Sequence, residues 1–383
     1  MNILQKIYRP NNSFHLERLK TDFMEFNSDS LFFVFINKER DFWKNHLQQL
    51  SKEFPNCSIV GATTSGHIGD EFIYDSECVI TAIKFNKAKF LVKTFEKISS
   101  SSSFEVGMQI AKVGNELNFK SGFIISEGLN VNGSKLVEGI NSTNNRMIFS
   151  GGLSGDGADF KETLVFTKDK FISNSLVVIF FDEFVSFSAS CAGGWKSFGI
   201  ERTVTKSENN IVYEIDGRPA INLYKEYLGN KSTLLPSYGL HFPICLTSKI
   251  NNVESELVRT LLGVDEPNGS LIFAGDVNEG AMIKLMKSST RELINAAQEM
   301  YKKEIDKMTD INGDALSLIV SCLGRRLVMG QNTEEEFVLS PRGFTVVQAG
   351  FYSYGEISES LTEKKCSLHN QTFSLTLIWE KAR

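Results

Sequence analysis

The sequence predicts an α+β protein of mixed β-sheets with flanking helices, divided into two domains. Three observations carry this. Runs rich in β-branched and aromatic residues recur along the chain, with 30 phenylalanines against 7 prolines. Segments with apolar residues at helical spacing lie between them. One strand–helix–strand pattern also occurs twice in the N-terminal half, and an internal repeat of that kind constrains the architecture.

The strand-like runs come first. They are "SLFFVFIN" (30–37), "CSIVGA" (57–62), "CVITAIKF" (78–85), "SGFIIS" (121–126), "RMIFSGG" (146–152) and "LVVIFF" (176–181). Helical patterns fall at 40–54, where Phe42, Leu47, Leu50 and Phe54 share a face, and at 104–117 and 133–143. The order strand 31–36, helix 40–54, "CSIVGATTSGHIGD", strand 78–85 is echoed by strand 122–126, helix 133–142, "RMIFSGGLSGDGAD", strand 176–181. A weaker third copy starts at "ALSLIVSCLG" (315–324), passes through "FTVVQAGFYSYGEI" and closes at "TFSLTLIW" (372–379). Glycines in these turns mark places where the backbone bends tightly or approaches something closely.

A boundary is expected near 185–195, before "GGWKSFG". Beyond it, 201–229 reads as two strands meeting at "SENN", a turn at Asp216-Gly217 and a helix opening near Pro219. Residues 257–286 read as antiparallel strands with turns at "EPNG" and "NEG". The longest helix, about 289–308, opens with Ser289 and Glu292 at capping-box spacing.

Composition excludes several classes. Hydrophobic residues make up 42% and charged residues 23% of the 383, enough apolar material for sizeable cores. The net charge of -5 gives no basic footprint for nucleic acid or an anionic membrane. The longest apolar stretch, "SLVVIFF", is far short of a membrane span, and the N-terminus carries no signal-peptide core, so a cytoplasmic location is expected. Six dispersed cysteines without a CxxC pair imply neither a zinc ribbon nor a disulfide framework.

Several motifs carry possible chemistry. "GATTSG" (61–66) and "GGLSGDG" (151–157) resemble phosphate loops superficially but lack the required lysine, which favours structural turns facing a shared pocket. Cys322 with His369 and Asn370 supplies the residue types of a cysteine hydrolase, although a cysteine inside "LSLIVSC" also reads as core. His241, among aromatic and apolar neighbours, is the first candidate for a haem ligand, with His67 second and His369 lower. The densest constellation is Cys322, Arg325, Tyr352, Tyr354, Glu356, His369, Asn370 and Gln371, a set of strand-end polar groups suited to a small polar ligand or to a buried structural network.

"IVGATTSG", "IFSGGLSGDG", "GWKSFG", "TVTKSENNIVYEIDGRPAINLYKEYLG", "VRTLLGVDEPNGSLIFAGDV", "SCLGR", "GFYSYGEI" and "LHNQT" closely resemble, in order, the landmarks of FIST proteins. The resemblance divides the chain into an arm (1–29), a FIST N-terminal domain (30–190) and a FIST C-terminal domain (191–383). His67 departs from it, standing where the family more often has an acidic residue. The resemblance implies a non-enzymatic sensory protein that binds a small ligand such as an amino acid. Its signal would pass to a histidine kinase, a cyclic-diguanylate cyclase or phosphodiesterase, or a chemotaxis receptor. Stand-alone relatives that bind haem and sense nitric oxide make haem the alternative. Carried over by motif, the ligand-binding residues are Cys322, Arg325, Tyr352, Glu356, Asn370 and Gln371, with Arg325 for a carboxylate and Glu356 for an ammonium.

Overall fold

Strands whose every residue is apolar belong where both faces of a sheet are covered, and the computed structural model places them there. It describes residues 1–9, 16–38, 40–143, 146–168, 170–250, 253–337, 345–359 and 365–382; the side chain of Phe42 lies outside what is described.

The first unit contains β1 (Asn2–Tyr8), α1 (Leu16–Asp22), β2 (Ser30–Ile36), α2 (Arg40–Glu53), β3 (Ser58–Thr63), a hairpin of β4 (His67–Gly69) and β5 (Phe72–Tyr74), and β6 (Cys78–Lys84). The second contains β7 (Phe90–Phe95), α3 (Ser103–Glu116), β8 (Ser121–Ser126), α4 (Gly133–Ser142), β9 (Ile148–Leu153), a hairpin of β10 (Val165–Thr167) and β11 (Lys170–Ile172), and β12 (Leu176–Phe181). Strand β13 (Val185–Ala192) then leads into a separate module. This comprises β14 (Lys196–Glu208), β15 (Ile211–Ile215), β16 (Arg218–Pro219), α5 (Ile221–Leu228), β17 (Ile244–Ile250), β18 (Val253–Arg259), β19 (Leu261–Asp265), β20 (Ser270–Phe273) and β21 (Met282–Lys287). The third unit follows: α6 (Thr290–Ile305), β22 (Ile311–Cys322), α7 (Leu323–Met329), β23 (Val346–Ser353), a hairpin of β24 (Gly355–Glu359) and β25 (Cys366–His369), and β26 (Phe373–Lys381).

The three units form three equivalent six-stranded sheets, β1-β6-β2-β3-β10-β11, β7-β12-β8-β9-β24-β25 and β13-β26-β22-β23-β4-β5. In each, a parallel pair (β2 with β3, β8 with β9, β22 with β23) is flanked by the unit's antiparallel closing strand. The repeat expected over 31–85 and 122–181 is therefore present in strand order, and the weaker third copy completes it. What the sequence did not reveal is the exchange. Each hairpin leaves its own unit and extends the sheet of another, β4–β5 joining the third, β10–β11 the first and β24–β25 the second.

Equivalent glycines explain how the parallel pairs close. Gly61, Gly151 and Gly350 lie directly opposite Val34, Ile124 and Ile319. A Cβ there would sit 1.9, 1.9 and 1.8 Å from the carbonyl oxygen of that partner, and Gly151 and Gly350 also have positive φ. No side chain fits at these positions.

The inner faces of the sheets meet in one core, where Phe33 packs edge-on against Phe123 (5.9 Å) and Phe35 lies 5.1 Å from Phe351. Helices cover the outer faces. Trp43, Leu47, Leu50 and Phe54 seal the first sheet, α3 and α4 the second, and α6 and α7 the third. The expected capping box is formed, with the Ser289 hydroxyl accepting from the Glu292 amide and the Glu292 carboxylate from the Ser289 amide. The module has its own core around Val204, Val212, Tyr224, Phe273 and Leu285. The molecule thus has two parts, a three-sheet body and a smaller antiparallel module. Two short segments connect them, at Gly193–Trp195 and Ser288–Ser289.

Candidate functional site

In sheets containing parallel pairs, ligands gather beyond the carboxyl ends of the strands. Here each parallel pair has a cavity at that end. One of about 320 Å³, at the β2/β3 end, is lined by Lys38, Thr64–Gly66 and Asp156. One of about 210 Å³, at the β8/β9 end, is lined by Gly128–Gly133 and Leu153. The third, of about 350 Å³, lies at the β22/β23 end against Cys322, Gly324, Ser353 and Tyr354. The glycine-rich turns do face a shared crevice, since the cavities have common walls at Phe160 and Tyr354 and at Leu323 and Leu327.

The β22/β23 cavity lies between the two parts of the molecule. The body supplies its floor, and the module supplies Pro236, Leu240 and Thr260–Leu262 as its roof. Module and body are joined beside it by hydrogen bonds from Gln371 Nε2 to Leu240 O (3.1 Å) and from Arg259 to Leu368 O (3.0 Å). Asp276 adds two, accepting from Asn132 Nδ2 and donating its amide to Ser134 Oγ.

The strands ending in "SCLGR", feeding "GFYSYGEI" and following "LHNQT" are neighbours in one sheet, in the order β26-β22-β23. Of the six residues carried over by motif, Cys322 lines the cavity. Arg325, Tyr352, Glu356, Asn370 and Gln371 are fully buried and do not line it. Arg325 and Glu356 do not pair with each other. The Arg325 guanidinium reaches Glu336 (3.4 Å) and donates to the carbonyls of Gly193 and Leu293 (2.9 Å for the latter). Those two carbonyls flank the connections to the module, so Arg325 fastens both. Glu356 instead accepts from Ser353 Oγ (2.6 Å) and from the Thr372 hydroxyl (2.9 Å) and amide (3.2 Å). The Tyr352 hydroxyl and the Asn370 amide group have no hydrogen-bond partner among the described residues.

Equivalent positions carry related pairs. Thr64 Oγ1 lies 2.5 Å from His67 Nδ1, as Ser353 Oγ lies 2.6 Å from Glu356, three residues apart in each case. His67 opposes Phe351 and Glu356 opposes Gly152, matching registers in their exchanged hairpins. The departure at His67 is thus a basic residue standing where the third unit has an acid.

His241 is exposed on a turn with its ring against Tyr238 (5.3 Å), not within an apolar pocket. His67 is fully buried and held by Thr64, and among the described residues no histidine lines any of the three cavities. His369 Nε2 faces Cys191 Sγ at 3.7 Å, and burial pushes the Cys322 thiol up, away from the reactive thiolate.

Burial pushes the Glu356 carboxyl up to about 8, against the hydrogen bonds from Ser353 and Thr372 that lower it. Such a group binds more protons folded than unfolded, so stability falls as pH rises from its ordinary value of 4.5 to about 8. His67 and His369, held down to about 3 and about 4 by burial, act in the opposite direction, but only below their ordinary 6.5. Between pH 6.5 and 8 the wild-type protein should therefore lose about 2 kcal/mol more stability than Glu356→Gln. Urea unfolding of both proteins across that range checks this; parallel slopes would refute it.

The FIST N domain matches residues 30–218 and the FIST C domain residues 220–359, so the chain belongs to the FIST family. FIST domains are sensory domains linked to signal transduction. The chain is similar to the uncharacterized protein MJ1623 of Methanocaldococcus jannaschii. The two are 23% identical over 313 residues, which is 76% of this chain and 59% of that protein. The chain thus spans less than two thirds of that relative's length. No helix among the described residues is long and apolar enough to cross a membrane.

Proposed function

We propose that this protein is a cytoplasmic sensor whose small ligand binds in the β22/β23 cavity and whose signal passes to a partner such as a histidine kinase or a cyclic-diguanylate enzyme. The observation that supports this most is the shared construction of the cavity, with its floor on the body and its roof on the module. A ligand there touches both parts at once. It also rests on the start of α7, at Cys322–Gly324 and Leu327, the helix whose Arg325 fastens both connections to the module. Occupancy can therefore change how the module sits on the body, which a partner protein could read.

A thermal-shift screen of small molecules on the wild-type protein and on Leu262→Trp tests this. A ligand that binds only the folded state raises its midpoint. Leu262 is 40% exposed at the cavity edge, so tryptophan can occupy the cavity without disrupting the core. Compounds that stabilise the wild type but not Leu262→Trp are expected. If every active compound shifts both proteins equally, the sensor site lies elsewhere.

A further inference from the structure

Resting on that reading of the cavity, we propose that its ligand is a neutral, largely apolar molecule with a flat ring and one hydrogen-bonding group, and not a zwitterionic amino acid. Among the described residues, no charged side chain lines the cavity. Arg325, the cation the motif offered for a carboxylate, is buried outside it with its guanidinium on two carbonyls and Glu336. Glu356, the anion offered for an ammonium, is enclosed by Ser353 and Thr372 and does not line the cavity either. A zwitterion entering here would lose its hydration and find neither counter-charge, which disfavours it strongly.

Apart from the Cys322 thiol, the polar side-chain groups that line the cavity are hydroxyls, and most are already committed as donors. Ser237 donates to Leu234 O, Ser353 to Glu356 and Tyr354 to Asp156. Thr260 differs. It is 2% exposed, it lines the cavity, and its hydroxyl has no partner among the described residues. A buried hydroxyl left without a partner is unfavourable, and a turn of the Thr260 side chain towards the cavity would let a ligand supply one hydrogen bond and relieve it. Phe160 and Tyr354 stack at 4.4 Å and 19°, giving one wall a flat aromatic surface, while Leu240, Leu323 and Leu327 supply aliphatic surface around it.

Titration calorimetry on the full chain with p-cresol, toluene, indole and L-tryptophan tests the inference. Expected are one p-cresol and one indole per chain, both displaced by each other, and L-tryptophan at least tenfold weaker than indole. Thr260→Val should weaken p-cresol about tenfold and leave toluene unchanged. Leu262→Trp and, from the opposite wall, Leu327→Trp should abolish binding of all the neutral probes; Leu327 is 49% exposed, so both variants should fold. L-tryptophan binding as tightly as indole, and lost in Leu262→Trp, would overturn the ligand class while leaving the cavity as the sensor site. Neutral probes that bind unaltered in both tryptophan variants, or no binding by any probe, would overturn the cavity reading and this inference together.

Discussion

Replacing Gly350 by alanine is expected to destabilise the protein by about 3–5 kcal/mol, and Gly151→Ala by a similar amount. The added Cβ would lie 1.8 Å from Ile319 O in the first case and 1.9 Å from Ile124 O in the second, both backbone atoms of the central strand. Neither can move without breaking the parallel ladder at the middle of its sheet. Gly280 is the control. It has φ +82 but nothing within 4 Å of its missing Cβ, so Gly280→Ala should cost only about 1–2 kcal/mol of backbone strain. Urea unfolding midpoints of the three variants measure the difference. Equal losses at all three positions would mean that the close approach is not what selects glycine.

Arg325→Met should cost about 3–5 kcal/mol, because it leaves the buried Glu336 without its cation and two carbonyls without their donor. The double variant Arg325→Met, Glu336→Gln should recover more than 1 kcal/mol of that loss, since the two residues share one network. Additive effects in this cycle would show that the pair is not coupled. Gly194 lies in the same connection, with φ +77 and only 2.7 Å between its missing Cβ and Glu292 O. This part of the molecule therefore combines a fixed guanidinium with a backbone that accepts no side chain.

Much of the architecture was legible because it rests on period and order. "SLFFVFIN" and "LVVIFF" are continuous apolar runs, and each lies in mid-sheet with both faces covered. The repeat was visible as a matching sequence of elements with glycine at matching turns. The hairpin exchange was not legible, because a strand of three residues such as "HIG" or "VFT" has the same local pattern whichever sheet it extends. Its destination is decided by packing between units.

The site was partly legible for a related reason. "SCLGR", "GFYSYGEI" and "LHNQT" do come together, since strand order follows from the repeat. Which of their side chains faces the cavity and which faces the floor depends on side-chain direction over one or two residues. Cys322 lines the cavity while Arg325 faces α6, and Ser353 lines it while Glu356 lies behind. Glu336, the true partner of Arg325, sits in "NTEEEF" with nothing to distinguish it from its acidic neighbours. Thr260 and Leu262 came from a module whose docking on the body no local pattern announces.

Hydrogen exchange of the full chain with and without saturating indole tests the central claim most directly, because it reports where a ligand acts and how far the effect spreads. Slower exchange is expected at 236–240, 260–262 and 322–327, together with a change at the two connections, 193–195 and 288–289. Protection confined to other segments, or protection at the cavity with both connections unchanged, would contradict a sensor that works by joining module to body.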